Sequence, residues 1–250
     1  MLQPPSLTLL NKLHNEIVCC EKCPRLRKHC RHIGKTKRKS FMDWDYWGKP
    51  LPGFGDPTAK LLIIGLAPAA NGGTRTGRMF CGDSSGDWLI RALHETGFAN
   101  QSTSTSRDDG LELIGAYVTA VARCAPPENK PTRKEIANCL PYLREELRLL
   151  KDVKVVLALG HIAFKGFLEA LETEHSPQTR TRPKFSHGSA YDLGTGLPKL
   201  YASYHPSRRN TQTKMLSWEM WIRTFQEIRH ELDEESGHPK EKLTIGITTS

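Results

Sequence analysis

Hydrophobic residues gather along this chain in four short runs, at 61–66, 116–121, 153–159 and 200–204. Each is nearly uninterrupted, which is the pattern of a strand covered on both faces. Between and after them, apolar residues recur at helical spacing. Trp88, Leu89, Ala92 and Leu93 form a stripe within 87–94, and Gly97 follows as a stop signal. Thr132 and Glu135 make a capping-box pair ahead of Leu140, Leu143, Leu147 and Leu150. Further helices are predicted over 161–171, 215–232 and 6–19, the last with Leu10, Leu13 and Ile17 on one face. Strands alternating with helices predict an α/β fold. The expectation is a single domain over residues 1–233, with a central four-stranded, mainly parallel sheet and helices on both faces. Residues 234–250 lack apolar periodicity and are expected to form a flexible tail. The Ser/Thr-rich stretch 101–107 is expected to be a mobile loop.

Parallel sheets bind ligands beyond the carboxyl ends of their strands. That directs attention to residues 65–86, 122–131, 160–161 and 205–213, three of which are polar and rich in Gly or Pro. Residues 65–73 read Gly-Leu-Ala-Pro-Ala-Ala-Asn-Gly-Gly. Small residues there let the backbone approach a ligand and present its amides, although a tight structural turn would use the same residues. No Gly-Lys-Ser/Thr or Gly-x-Gly-x-x-Gly follows the strand, so it is neither a Walker loop nor a dinucleotide fingerprint. Phe80, between glycines, suits a stacking platform better than a core. Asp83 is the first carboxylate after the strand, as well suited to capping the helix that holds Trp88 as to catalysis. His205 ends the last strand, where a histidine is well placed for chemistry. Arg208 and Arg209, just beyond it, would suit phosphates.

Charge narrows the partner. Lys and Arg number 36 against 27 Asp and Glu, a net charge of +9. This favours a polyanion without choosing between DNA, RNA and anionic lipid. The longest apolar run is broken by Gly65 and Pro68, too short for a bilayer span, and residues 1–8 show no secretory pattern. Eight cations, Arg25, Arg27, Lys28, Arg31, Lys35, Lys37, Arg38 and Lys39, fall within 25–39, where there is no acid. They form either a solvated face or a patch that tracks a nucleic-acid backbone. Trp44, Tyr46 and Trp47 follow at once, as base-stacking groups or loop anchors.

Seven cysteines without an export signal point to metal ligation or free thiols, not disulfides. Cys20 and Cys23 form a Cys-x-x-Cys pair that can chelate one metal centre. Cys124 and Cys139 would be brought to it by the fold, and Cys30 is the first substitute for any of the four. Such a centre would hold the basic stretch, otherwise a floppy loop, rigid. Four-thiolate zinc and a 4Fe–4S cluster both fit the spacing.

Six segments in order resemble the uracil-DNA glycosylase superfamily, and within it the iron–sulfur type 5 branch of bacteria and archaea. They are Cys20-x-x-Cys23-Pro24-Arg25-Leu26, Gly53-Phe54-Gly55-Asp56-Pro57, residues 65–70, Arg75-Thr76-Gly77-Arg78-Met79-Phe80-Cys81-Gly82-Asp83, residues 123–131, and His205-Pro206-Ser207 with residues 209–213. The resemblance implies a 4Fe–4S cluster on Cys20, Cys23, Cys124 and Cys139, with structural zinc as the alternative. It implies a base pocket lined by Gly65, Ala67, Ala69 and Phe80, with Phe80 stacking on an extruded base. Asp83 and His205 would be catalytic, with Asn129 beside them. Arg25, Lys35, Lys37, Arg38, Arg208, Arg209 and Asn210 would contact DNA. The implied activity is monofunctional hydrolysis of the N-glycosidic bond of uracil, hypoxanthine, xanthine or ethenocytosine in DNA. The expected protein is a monomer that acts on double-stranded or single-stranded DNA, cytoplasmic and nucleoid-associated, in a bacterium or archaeon. The alternative is a non-catalytic binder of damaged or single-stranded DNA with a structural metal cluster.

Overall fold

The four hydrophobic runs form the middle of one sheet. A computed structural model describes residues 5–172 and 183–235. In chain order the elements are α1 (Pro5–Val18), α2 (Pro24–Thr36), β1 (Phe54–Gly55), β2 (Leu61–Gly65), α3 (Gly73–Thr76), α4 (Ser84–Glu95), β3 (Ala116–Ala120), α5 (Arg133–Leu149), β4 (Val155–Leu159), α6 (His161–Leu171), β5 (Ser189–Tyr191), β6 (Lys199–Ser203), α7 (Arg208–Gln212) and α8 (Trp218–Glu235). The sheet order is β1-β3-β2-β4-β6-β5. The inner four strands are parallel, with Leu61 opposite both Ala116 and Val155, and Val155 opposite Lys199.

The sheet therefore has six strands where four were predicted. The additions, β1 and β5, are antiparallel edge strands of two and three residues. Neither is long enough to leave a periodicity in the sequence. Helix α8 runs through Glu235, past residue 234 where the tail was expected to begin. Residues 236–250 lie outside the described residues.

Alternate residues of β2 serve two cores. Leu61 and Ile63 face α4 and α8, through Leu89, Leu93, Trp221 and Phe225. Leu62 and Ile64 face α1, α5 and α6, through Ile17, Leu143, Phe164 and Phe167. Burial on both faces explains why the run carries no polar alternation. Among the described residues, no helix is long and apolar enough to cross a membrane.

Two further expectations are corrected. The basic stretch is largely a helix, α2, and not a loop. Pro24 opens it, and Leu26, Arg27 and Cys30 are buried along one side. So few apolar residues among so many cations conceal the helical period. Arg25 then fastens α2 to α5, donating two hydrogen bonds to Glu135 at 2.8 and 2.7 Å. That contact holds the Glu135 carboxyl down at about 2. The second correction is that residues 101–107 are tied down. The Gly82 amide donates to the Ser104 carbonyl at 2.8 Å. Arg78 donates to the Ser106 carbonyl and pairs with Asp109 at 2.6 Å, and Asp109 accepts from the Thr105, Ser106 and Leu111 amides.

One buried ion pair spans the sheet face. Arg123, just past β3, donates to both Glu146 oxygens on α5 at 3.0 and 2.6 Å. Thr119 of β3 donates to the same carboxylate at 2.6 Å. The two charged side chains are 1% and 0% exposed. Removing one partner of such a pair leaves a buried charge uncompensated, at a cost of about 3–5 kcal/mol. Glu146→Leu is therefore expected to destabilise the protein by about that much in urea unfolding. Arg123→Met combined with Glu146→Leu should cost less than Glu146→Leu alone, and a larger loss in the double variant would refute the pair's role.

Candidate active site

The loops that leave β2, β4 and β6 surround a cavity of about 570 Å3 at the carboxyl ends of the strands. The β2 loop contributes Leu66, Ala67, Pro68, Ala69, Met79, Phe80 and Asp83. The β6 loop contributes His205, Ser207 and Arg208. Between them the start of α6, Gly160 to Ala163, forms a third wall. The sequence marked 160–161 only as a position after a strand, and no residue type there signalled a lining role.

Phe80 reaches the cavity by an unusual backbone conformation, with φ at +50°. One edge of its ring abuts β2, where a Cβ on Gly65 would fall 2.8 Å from it. Only glycine admits the ring at that spot. The ring also neighbours His205, with centroids 6.0 Å apart and planes inclined by 32°. Gly65 is thus the seat of Phe80.

Asp83 fills the capping role that the sequence offered and also lines the cavity. Its Oδ1 caps α4, accepting from the Ser85 and Gly86 amides at 3.0 Å each. Its Oδ2 lies against Gly72, where a Cβ would fall 2.0 Å away. Burial pushes the Asp83 carboxyl up, while the two amides and the nearby Arg75 draw it back down. Burial also holds His205 at about 4, so the imidazole is neutral at pH 7 and can donate without carrying charge. The His205 carbonyl accepts from Asn210 Nδ2 at 2.9 Å.

A family model described as the Uracil DNA glycosylase superfamily matches residues 52–229. The chain belongs to that superfamily. The Type-5 uracil-DNA glycosylase of Thermus thermophilus is 45% identical over 213 residues, covering 85% of this chain and 94% of that protein. The Type-5 enzyme of Pyrobaculum aerophilum is 42% identical over 205 residues, covering 82% and 85%. A Type-4 uracil-DNA glycosylase of the same organism is 29% identical over 199 residues, covering 79% and 83%.

For a member of the uracil-DNA glycosylase superfamily, the fold brings together much of the expected site. Ala67, Ala69, Phe80, Asp83 and His205 share the cavity, and Asn129 stands exposed at its rim in a turn with φ at +57°. Arg208 lines the mouth, and Arg209 beside it is exposed. Three expected DNA contacts have internal partners. Arg25 is paired with Glu135, and Asn210 braces the His205 loop. Lys35 and Arg38 are exposed near α2, and Lys37 Nζ donates to the Met42 carbonyl at 3.0 Å. Trp44, Tyr46 and Trp47 act as loop anchors, as described below.

The four thiols expected to ligate a metal, with Cys30, are absent from the cavity lining of this superfamily member. Cys23, Cys30 and Cys124 are buried in a small cluster with Leu26 and Ala125. Cys139, on α5, is pushed up by burial and by the proximity of Cys23 and Cys20. Burial, Cys30 and Cys139 act on Cys124 in the same direction. The Asn138 amide donates to Cys23 Sγ at 3.4 Å.

The neutral burial of His205 has a consequence for stability. The unfolded chain takes up this proton below about 6.5, and the folded chain only near 4. Between those values the unfolded state binds more protons, so stability falls as pH drops through that window. His205→Gln is expected to flatten the decline between pH 6.5 and 4 in chemical unfolding. A decline of unaltered slope would show that the imidazole is solvated in the folded state.

Proposed function

We propose that this chain hydrolyses the N-glycosidic bond of uracil in DNA, and also that of hypoxanthine, xanthine and ethenocytosine, leaving an abasic site. The observation that carries this reading is the meeting of a carboxylate oxygen, an aromatic face and an uncharged imidazole in one cavity. A base inside a duplex is out of reach, so the target nucleotide must be extruded into that cavity. Phe80 offers the flipped base a stacking face. As the bond breaks, the sugar gains cationic character and the base becomes an anion. His205, neutral and buried, donates a hydrogen bond to the departing base, helped by amides of the 65–73 loop. Asp83 Oδ2, free of the capping bonds, holds the attacking water or the developing sugar cation. Arg208 and Arg209 grip phosphates of a DNA partner, double-stranded or single-stranded.

The broader substrate range is supported by the Ala67–Ala69 wall. It is small and apolar and bears no side-chain amide to read a pyrimidine edge or bulk to shut out a purine. Asp83→Asn keeps the helix cap, since Asn caps as well as Asp, and removes only the charge. In single-turnover assays it should slow release of both uracil and hypoxanthine. His205→Ala should slow release by on the order of 10²–10³. Wild-type rates in cluster-loaded, folded Asp83→Asn would reduce Asp83 to a cap. Hypoxanthine untouched by wild-type enzyme in excess would confine the enzyme to uracil. Binding of lesion duplexes without any base release would leave a DNA-binding protein.

Cys20, Cys23, Cys124 and Cys139 would hold a 4Fe–4S cluster. The donor set fits such a group: Cys23 and Cys124 are buried in one cluster, Cys139 is buried on α5 beside Asn138, whose amide donates to Cys23 Sγ at 3.4 Å, and all four thiols are free. Among the described residues, no three His, Cys, Asp or Glu side chains stand close enough together to hold one metal ion. When bound, the cluster would cross-link α2, the end of β3 and α5, with no redox step to perform. Protein purified without oxygen should carry about four irons per chain. Cys23→Ala should lose them together with much soluble protein, and stoichiometric zinc without iron would overturn the assignment.

A further inference from the structure

Arg75 is a buried cation with no acidic partner in hydrogen-bonding range. It belongs to α3, in the loop that leads from β2 to Asp83, and is 3% exposed. Its Nε donates to the Asn71 carbonyl at 2.8 Å, and its Nη2 donates to the Gly82 carbonyl at 3.0 Å. These carbonyls lie on either side of the Asp83 seat. Asn71 precedes Gly72, against which Asp83 Oδ2 rests, and Gly82 precedes Asp83 itself. The guanidinium is therefore a brace across the two backbone segments that fix the carboxylate.

The brace is held from outside by residues 41–48. The Arg75 guanidinium carbon lies 4.0 Å from the ring centroids of both Phe41 and Trp44. Tyr46 Oη donates to Asn71 Oδ1 at 3.0 Å. The Trp47 and Gly48 amides donate to the Arg75 and Thr74 carbonyls at 3.0 Å each. Aromatic faces stabilise a cation that has been taken out of water. These contacts give the aromatic cluster after the basic helix a task inside the protein.

We propose that Arg75 is a positioning residue for Asp83: it bridges the Asn71 and Gly82 carbonyls to fix the surface on which the carboxylate lies, and Phe41 and Trp44 hold it there. This rests on the catalytic reading of Asp83 given above. The charge of Arg75 acts in the same direction as its geometry. It favours the ionised Asp83, against burial and the carboxylate of Asp87 on α4. Asp87 is in turn influenced by Arg208, and His205 across the cavity is uncharged at neutral pH. Arg75 is the cation that opposes protonation of Asp83.

The test uses cluster-loaded full-length protein and a duplex with a single uracil, with enzyme in excess and the pH–rate profile recorded. Arg75→Met should slow base release about tenfold or more, by analogy with displaced catalytic groups. It should also move the acid limb to higher pH, while the Kd for the uracil duplex is unchanged. Arg75→Lys keeps the charge but cannot reach both carbonyls. It should restore the acid limb and recover only part of the rate. Phe41→Leu combined with Trp44→Leu should shift the rate in the same direction by less. A folded Arg75→Met with wild-type rate and limb would overturn the proposal. If that variant fails to fold, an Arg75→Lys rate equal to wild type would do so instead. Full activity of Asp83→Asn would remove the carboxylate reading itself, and this proposal with it, whereas inactive Asp83→Asn beside unaffected Arg75 variants would remove the brace alone.

Discussion

The Arg123–Glu146 pair is the constraint on which both ends of the molecule depend. It lies under the carboxyl end of β3, where the chain leaves the sheet towards α5. A bidentate guanidinium–carboxylate contact with a threonine hydroxyl added has one good geometry and little tolerance for error. Fixing it sets the rotation of α5 against the sheet. That rotation places Cys139 beside the thiols that follow α1. The neighbouring backbone places Cys124, and a few residues later Asn129 at the cavity rim. Leu51 donates its amide to the Arg123 carbonyl at 2.8 Å, so the strap that leads into the sheet is registered from the same point.

In the cavity one carboxylate caps a helix with one oxygen and leaves the other uncommitted. The capping oxygen of Asp83 is held by two amides at a helix start, where the helix dipole favours negative charge. The other oxygen remains available. Burial alone would favour the protonated acid, so the balance rests on fixed dipoles and on a single cation. His205 is arranged in the opposite sense. It gains no ion partner, and burial makes it an uncharged donor. Two titratable groups driven in opposite directions by their surroundings can divide a reaction that develops positive charge on one fragment and negative charge on the other.

The inner sheet was legible because its strands are buried on both faces and therefore uninterrupted in apolar residues. The helix starts at Thr132 and Asp83 were legible because capping is local chemistry. What escaped was whatever depends on distant partners. The edge strands β1 and β5 are too short to carry a period. The helix α2 hides behind its own cations, and its buried Arg27 reads as surface charge in one dimension. The loop at 101–107 has the composition of a flexible linker, yet Arg78 and Asp109 tie it to the loop that follows β2. The same limit applies to the site. Phe80, Asp83 and His205 could be picked out after their strands, but Arg75 gave no sign of its role, because its partners are two carbonyls and two rings from another segment. Arg25 and Asn210, expected to contact DNA, gave no sign of their internal partners either, which are a distant carboxylate and a backbone carbonyl.

The order of the strands sets one dimension of the cavity in advance. The two loops that face each other across it leave β2 and β6, and only β4 lies between them. Their roots are thus two inter-strand spacings apart, roughly 10 Å. That distance is a ruler made of main-chain hydrogen bonds, and no side chain writes on it. Substitutions in the walls can make the recess deeper, shallower or more polar, but they cannot make its base wider. A lineage that needs to admit a bulkier adduct has to lengthen a loop or open the rim. Change in lesion preference within this architecture should accordingly be recorded as insertions near the strand ends, while the strands themselves stay fixed in number and order.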